Sequence, residues 1–353
     1  MAKKLKAAVI GTGMGRFHAR SYAANKKVDL VALCDLNKPE AEWLAGELGV
    51  PHVFDNYAQM LDSVKLDIVS VVVPNHLHAP MTLDALERGI HVLCEKPLAT
   101  TVADGEAMVA LAEKQNLRLM VNLCSRFDPV NATVAKMVRD GDLGEVYYVR
   151  GGMMRRRGTP RLDFDSSGDL GRGAWFVQAE KAGGGALMDI GVHILDLCWW
   201  LAGCPAPVAV SGATFPDFRQ AEFAKQKVRG DVDNGAAATI RCENGAQIFF
   251  EATWASNMKD EHYCKVYGTK AGASAMGEAM FYTTKAGKPA DKPITPIPGI
   301  TKDSYEHFVD AVLDPSIELN ASGAGGLTIL RILDAIRQAG RDGADTYLCD
   351  CCC

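Results

Sequence analysis

The chain has 353 residues, 48% of them hydrophobic, and a formal net charge of −5, which is enough for two domains, each with its own core. The acidic balance, without a sustained basic tract, argues against nucleic acid as a partner, and no apolar run approaches membrane-spanning length. Met1-Ala-Lys-Lys-Leu-Lys leads straight into the first apolar run, so no cleavable leader is expected and a cytoplasmic location is.

Leu5-Lys-Ala-Ala-Val-Ile10 is a short apolar strand that breaks into Gly11-Thr12-Gly13-Met14-Gly15-Arg16, followed by a helical pattern through Phe17, Ala19, Tyr22 and Ala23. Strand, glycine turn and helix make a dinucleotide-binding unit. Glycines let the backbone approach a pyrophosphate, and the helix start offers N–H groups and a favourable dipole. The third glycine of G-x-G-x-x-G would fall at Arg16, and Gly15 lies one residue early. The next strand, 28–35, ends in Asp35, placed to accept from ribose hydroxyls and to repel a 2′-phosphate, which favours NAD over NADP. Lys38 is the nearest cation, and Asp35 also reads as a cap for the helix starting near Pro39.

The alternation continues. The β-branched run 67–73 ends at Pro74-Asn75-His76-Leu77-His78, a helix follows over 80–88, and the strand 89–94 leads to Glu95-Lys96-Pro97. A helix over 102–115 and a strand ending at Asn122 complete a doubly wound α/β domain. Its ligand edge lies beyond the carboxyl ends of the strands. Lys96 at that edge reads either as an exposed surface lysine or as a donor to a substrate oxygen.

From Val146 onward, strand-like segments near Val208, Ala236, Ile248 and Cys264 read as a mostly antiparallel sheet, with Glu243-Asn244-Gly245 as a hairpin turn. The expected organisation is a Rossmann domain over 1–124 and an α+β domain over 125–353, with a loop at 285–301 and a final helix at about 327–340. Within the second domain, Gly183-Gly184-Gly185 precedes Asp189 and His193. On a helix these two lie four apart on one face, opposite Leu187, Ile190, Ile194, Leu197 and Trp200. A carboxylate beside an imidazole suits a general base, although such spacing also arises by chance.

Taken together, the glycine turn, Pro74-Asn75 with His78, Glu95-Lys96-Pro97 and Gly-Gly-Gly-x-Leu-x-Asp-x-Gly-x-His resemble the Gfo/Idh/MocA family of glucose–fructose oxidoreductases and inositol dehydrogenases. The resemblance implies an NAD(P)-dependent oxidoreductase acting on a secondary hydroxyl of a sugar, polyol or cyclitol. In that reading His193 is the general base, with Lys96 and Asp189 orienting the carbinol and the ring. The implied cofactor contacts are Gly11, Thr12, Gly13, Met14, Gly15, Arg16, Asp35, Pro74, Asn75, His78, Glu95, Lys96 and Asn122, with a cis peptide before Pro97. The resemblance also implies a homodimer or homotetramer paired through the second domain's sheet. A redox-neutral NAD-dependent glycosidase and a non-catalytic NAD sensor are the rival readings.

Beyond Lys96, Asp189 and His193, the expected substrate contacts are Arg126, Arg155 in the run Arg155-Arg156-Arg157-Gly158-Thr159-Pro160, and Trp175 beside Phe176. Arg forks suit carboxylates and phosphates, and an aromatic face suits a sugar's C–H surface. A basic run equally reads as a solvated loop or a subunit contact. Seven of the eleven cysteines are scattered, mostly in apolar segments, as reduced thiols are. The tail Cys349-Asp350-Cys351-Cys352-Cys353 has soft-metal donors, but no matching ligand pair lies elsewhere in the chain, so no metal is expected.

Overall fold

The computed structural model describes residues 4–158, 173–219, 223 and 230–348. The chain divides into two compact units, Met1–Leu123 with Lys302–Leu327, and Cys124–Thr301 with Thr328–Cys353.

The first unit is built on six parallel strands: β1 (Leu5–Ile10), β2 (Val28–Cys34), β3 (His52–Phe54), β4 (Ile68–Val71), β5 (His91–Cys94) and β6 (Leu119–Val121). Their order is β3-β2-β1-β4-β5-β6. The crossovers are α1 (Gly15–Ala24), α2 (Lys38–Leu48), α3 (Tyr57–Ser63), α4 (His78–Glu87) and α5 (Val102–Lys114). The strand order reverses between β1 and β4, the position where doubly wound sheets bind ligands. Central strands with both faces covered must be apolar throughout, and Ala7, Ala8, Val9, Ile68, Val69 and Val71 are fully buried. β3 and α3 have no counterpart in the sequence reading, because three strand residues carry too short a pattern to separate from a loop.

One stretch departs from the expected domain boundary. Residues 302–327 belong to the first unit, not the second. Beyond β5, the exposed edge of β6 needs partners for its backbone groups. Val121 N–H donates to the Ala321 carbonyl at 2.9 Å, and Met120 bridges to Ser322. The helix Ser304–Leu313, capped by the Asp303 carboxylate on the Glu306 N–H, sets Tyr305 edge-on to His18 at 4.5 Å. Pairing between such distant parts of the chain leaves no local trace in the sequence.

The second unit is a nine-stranded sheet carrying α6 (Pro129–Arg139), α7 (Ala179–Ala182) and α8 (Val192–Leu201). Its main strands are β7 (Val146–Met154), β8 (Pro207–Pro216), β9 (Asp233–Cys242), β10 (Gln247–Thr253), β11 (Glu261–Gly268), β12 (Gly272–Met276) and β13 (Met280–Tyr282). The pairs are antiparallel except β10 with β7. Gly245, at φ +81°, closes the β9–β10 hairpin as expected. Residues 285–301 are less loop-like than expected: Thr284–Lys285 pairs with Lys288–Pro289, and Lys292–Pro293 extends the sheet from β13. The last helix runs Gly323–Asp342, starting earlier than the reading placed it.

α8 lies against the β7–β11 face of this sheet, close enough for Cys198 Sγ to stand 3.8 Å from Cys264 Sγ. Gly151 makes that approach possible, since a Cβ there would run into Cys198 Sγ and stand 3.1 Å from Ile194 Cδ1. Gly151→Ala is expected to lower stability by about 1–3 kcal/mol through overpacking. A urea midpoint equal to that of the wild type would disprove the tight packing.

Candidate active site

The glycine turn is shaped by contacts at β4. Gly11 has φ +87°, and a Cβ there would collide with the Val72 carbonyl. Gly15 opens α1, and its missing Cβ would stand 2.8 Å from Val9 Cγ1. Gly15 therefore does the helix–strand packing of the third fingerprint glycine, one residue early. Gly13 has nothing within 4 Å of where a Cβ would be, which leaves an open cradle at the start of α1. Such a cradle, with the helix N-terminus behind it, fits a pyrophosphate. Asp35 is fixed beside it: its Oδ2 accepts from Thr12 N–H at 2.6 Å and Thr12 Oγ1 at 2.8 Å, and its Oδ1 from Asn37 N–H at 2.8 Å. Met14 is exposed, and the Arg16 guanidinium lies 5.0 Å from the Phe17 ring centre. The capping alternative for Asp35 is not what forms, since α2 begins at Lys38 with Asn37 as its N-cap residue.

At the ends of β4 and β5 the expected set divides. Pro74 precedes the single turn Asn75–Leu77, and Asn75 is buried. His78 was expected at the cofactor, but only 1% of it is exposed. Its Nδ1 stands 2.7 Å from the Pro97 carbonyl and its Nε2 2.9 Å from the Val73 carbonyl. Burial pushes its pKa down despite these two acceptors, so at neutral pH the ring carries one proton and donates to one carbonyl. Its task is to tie the residue after Lys96 to the end of β4.

Glu95 is held from two sides. Its Oε1 is 3.0 Å from His18 Nε2 and accepts from Asn122 Nδ2 at 2.6 Å, while its Oε2 accepts from Lys96 N–H at 3.2 Å. Burial opposes its charge, but His18, Asn122 and Lys96 more than offset that and hold the carboxyl at about 2. Lys96 follows, partly exposed, with a cis bond to the buried Pro97. His18 was missed in the sequence. Its one signal is position: with Gly15, Ala19 and Tyr22 it makes the buried stripe of α1.

In the second unit the glycine cluster is a buried helix start. The Asp233 carboxylate, from the first residue of β9, accepts from Gly185 N–H at 2.7 Å and Leu187 N–H at 2.9 Å. A Cβ on Gly185 would collide with the Asp233 backbone, so glycine is required there. Leu187–Gly191 then forms one π turn that runs into α8. Wider turns of this kind recur at functional sites. Within residues 184–201 every side chain is buried except Asp189 and His193, which keep partial exposure. Asp189 Oδ2 accepts from the Trp254 indole N–H at 3.0 Å. Neither Asp233 nor Trp254 was singled out in the sequence, because each reaches the site from a distant strand.

Of the three other substrate candidates, Arg126 is corrected. Only 4% of it is exposed, and its guanidinium is spent on Asp196, with NH2 2.6 Å from Oδ1 and Nε 3.0 Å from Oδ2. The rings of Trp199 and Trp200 lie within 5.7 Å of it. A buried charge needs such a partner, and breaking such a pair costs about 3–5 kcal/mol. Arg155 is half-buried, its NH1 3.2 Å from the Gly158 carbonyl, and its backbone is hydrogen-bonded to Thr253 and Ser256. Trp175 is half-buried and stacked on Phe176 at 3.8 Å. Thr159, Pro160 and the Cys349–Cys353 tail lie outside the described residues.

The carboxyl of Glu95 carries a pH prediction. Its value is about 2 against an ordinary 4.5, so its contribution is fully present above 4.5 and is lost as pH falls toward 2. The difference in Tm between wild type and Glu95→Gln is expected to be widest above pH 4.5 and to close toward pH 2. A difference independent of pH would rule out an ionised, tightly held Glu95.

The family model for the oxidoreductase family with an NAD-binding Rossmann fold matches residues 5–123, and the GFO/IDH/MocA C-terminal domain matches residues 131–274. D-glucoside 3-dehydrogenase of Escherichia coli (strain K12) is 31% identical, over 98% of this chain and 97% of that protein. Levoglucosan dehydrogenase of Pseudarthrobacter phenanthrenivorans is 28% identical, over 76% of this chain and 72% of its own. The crystal structure of aldose-aldose oxidoreductase from Caulobacter crescentus complexed with glycerol superposes with a TM-score of 0.80 at 29% identity, covering 98% of this chain and all of that one. With both domains matched and a relative alike along almost its whole length, the chain belongs to the GFO/IDH/MocA family of oxidoreductases.

Proposed function

We propose that the protein oxidises a secondary hydroxyl of a sugar, glycoside or cyclitol with NAD, and that Lys96, Asp189 and His193 carry the reaction. What carries this reading is the exposure pattern of residues 184–201, where Asp189 and His193 alone are not buried. Ionisable side chains left accessible on an otherwise sealed helix are placed for chemistry and not for packing. The likeness to D-glucoside 3-dehydrogenase along nearly the whole chain supports the substrate class.

The open cradle at Gly13 and the start of α1 suit the pyrophosphate of the dinucleotide. Asp35, with three of its acceptor positions already filled by protein donors, has lone-pair capacity left for a ribose hydroxyl and repels a 2′-phosphate. This supports NAD over NADP. When bound, the nicotinamide supplies the hydride acceptor. His193 takes the hydroxyl proton, the Asp189 carboxylate stabilises the resulting imidazolium, and the Lys96 ammonium donates to the substrate oxygen as negative charge develops on it. Trp175 offers an aromatic face and Arg155 a cation for the rest of the sugar. We place the enzyme in the cytoplasm. Among the described residues no helix is long and apolar enough to cross a membrane.

The proposal includes a homodimer or homotetramer paired through the sheet of the second unit. On the face opposite α8, Arg150 lies over the rings of Phe249 and Tyr263 at 5.5 and 5.1 Å, and Tyr148 lies 5.1 Å from Tyr267. Aromatic rings and arginine are enriched in interface cores, and here Glu251 and Lys265 share the face with them. Light scattering should return a mass of two or four chains for the wild type and a lower one for Arg150→Glu. A monomeric wild type would refute the pairing.

The activity is tested by following nicotinamide absorbance with NAD, and separately NADP, against methyl β-D-glucoside, levoglucosan, myo-inositol and D-xylose. Reduction of NAD by at least one of them is expected. His193→Ala should lower kcat by roughly 100-fold or more while leaving NAD affinity within about twofold. Glycoside cleavage without net reduction would replace the dehydrogenase with the redox-neutral glycosidase. Tight NAD binding with no reaction at all would favour the sensor.

A further inference from the structure

We propose that Trp254 is a positioning residue that holds the Asp189 carboxylate in its ionised form and fixed orientation. The proposal rests on the reading of Asp189 as part of the proton-transfer pair.

Trp254 is fully buried, and an indole N–H in a core requires an acceptor. The acceptor it meets is Asp189 Oδ2, at 3.0 Å. Neither end of this bond is free to drift. At the indole end, Trp254 N–H donates to the Asn234 carbonyl at 2.9 Å, and its own carbonyl accepts from Gly158 N–H at 2.7 Å. Asn234 in turn donates through Nδ2 to Thr253 Oγ1 at 3.1 Å and to the Ala255 carbonyl at 3.0 Å. The backbone on both sides of the indole is therefore clamped. At the carboxylate end, Asp189 N–H donates to the Gly185 carbonyl at 3.0 Å, and Gly185 is itself held by Asp233.

An N–H aimed at a carboxylate oxygen favours its charged form. An ionised Asp189 on the same helical face as His193 favours the imidazolium that forms when His193 accepts a proton. The indole thus acts on the reaction through Asp189 and has no part in it as a donor to substrate.

The same stretch also anchors the loop bearing Arg155, because Arg155 N–H donates to the Thr253 carbonyl at 3.0 Å and Ser256 N–H to the Arg155 carbonyl at 2.8 Å. All of these anchoring bonds use the main chain at 253–256. Changing the indole N–H alone leaves them in place, so its effect can be isolated.

The test replaces Trp254 with benzothienylalanine, whose sulfur takes the place of the N–H at nearly constant shape, with Trp254→Phe as the natural-residue counterpart. Selective 15N labelling resolves the indoles of the five tryptophans. In wild type the resonance assigned to Trp254 should shift with the ionisation of a carboxyl as pH is lowered, and that titration should vanish in Asp189→Asn. In the analogue, kcat with the best substrate among methyl β-D-glucoside, levoglucosan and myo-inositol should fall roughly 10- to 100-fold, the range expected for losing a hydrogen bond to a charged group. The step that Asp189 ionisation contributes to the acid side of its kcat profile should move to higher pH, with NAD affinity unchanged.

In the Asp189→Asn background the analogue should cost nothing further. An indole resonance that ignores pH, or an effect that adds in full to Asp189→Asn, would make Trp254 a packing residue and overturn the proposal. Full turnover in Asp189→Asn would overturn both the proposal and the reading of Asp189. An inactive Asp189→Asn beside an indifferent analogue would overturn the proposal alone.

Discussion

A helix that starts inside a protein core must satisfy its first N–H groups without water. In this chain the Asp233 carboxylate does so for the helix bearing Asp189 and His193, from a strand 48 residues further along. Much of the second unit's site follows from that arrangement. Because the carboxylate reaches in from β9, the helix start can be sealed, and Gly185 must be glycine to admit the Asp233 backbone. Because the start is sealed, the π turn and α8 can bury nearly all their surface, leaving exposure to two side chains, Asp189 and His193. Burial raises the Asp233 carboxyl, and the two N–H groups offset only part of that rise. It serves as a structural acceptor, and Asp189, a few residues along the same helix, keeps access to solvent.

The first unit solves a similar problem with a different carboxylate. Glu95 follows the buried residues Val92–Cys94 of β5, where an uncompensated charge would be costly. His18 and Asn122 compensate it, and Tyr305 packs against the His18 ring from a helix that returns late in the chain. His78 secures the opposite side of the Glu95-Lys96-Pro97 segment through the carbonyls of Val73 and Pro97. The backbone at Lys96 is thus held on both flanks, and the entropy of ordering that backbone is spent during folding.

What was legible in the sequence is what is local. A strand breaking into glycines, an acid at the end of the second strand, Glu95-Lys96-Pro97 and the four-residue step from Asp189 to His193 all lie within windows of a few residues. Such patterns are imposed by backbone geometry and survive without knowledge of the rest of the fold. Even the apparent defect in the glycine turn was local: Gly15 sits early because α1 begins there, and it packs on Val9 as the later glycine would. What was not legible is long-range. Arg126 looked like an available cation until Asp196, 70 residues on, proved to own it. His78 looked like a ligand of the cleft because a polar loop and a buried pin have the same composition. Residues 302–327 looked like part of the second domain because chain order carries no sign that an edge strand will be covered from so far away.

The same limit bears on how acidic residues are assigned roles. Asp189, Asp196 and Asp233 are all close to glycines or to the buried helix, and nothing in their immediate sequence separates them. Their partners do. Asp196 faces a guanidinium and neutralises it, and Asp233 faces two backbone N–H groups and ends a helix. Asp189 accepts from an indole, a donor that carries no charge to cancel its own. A carboxylate hydrogen-bonded to a neutral donor keeps its negative charge available to a neighbouring imidazole, whereas one spent on an arginine does not. By that criterion Asp189 is set apart from the other two by its neutral indole donor, and it stands on the same helical face as the one α8 side chain that is not buried.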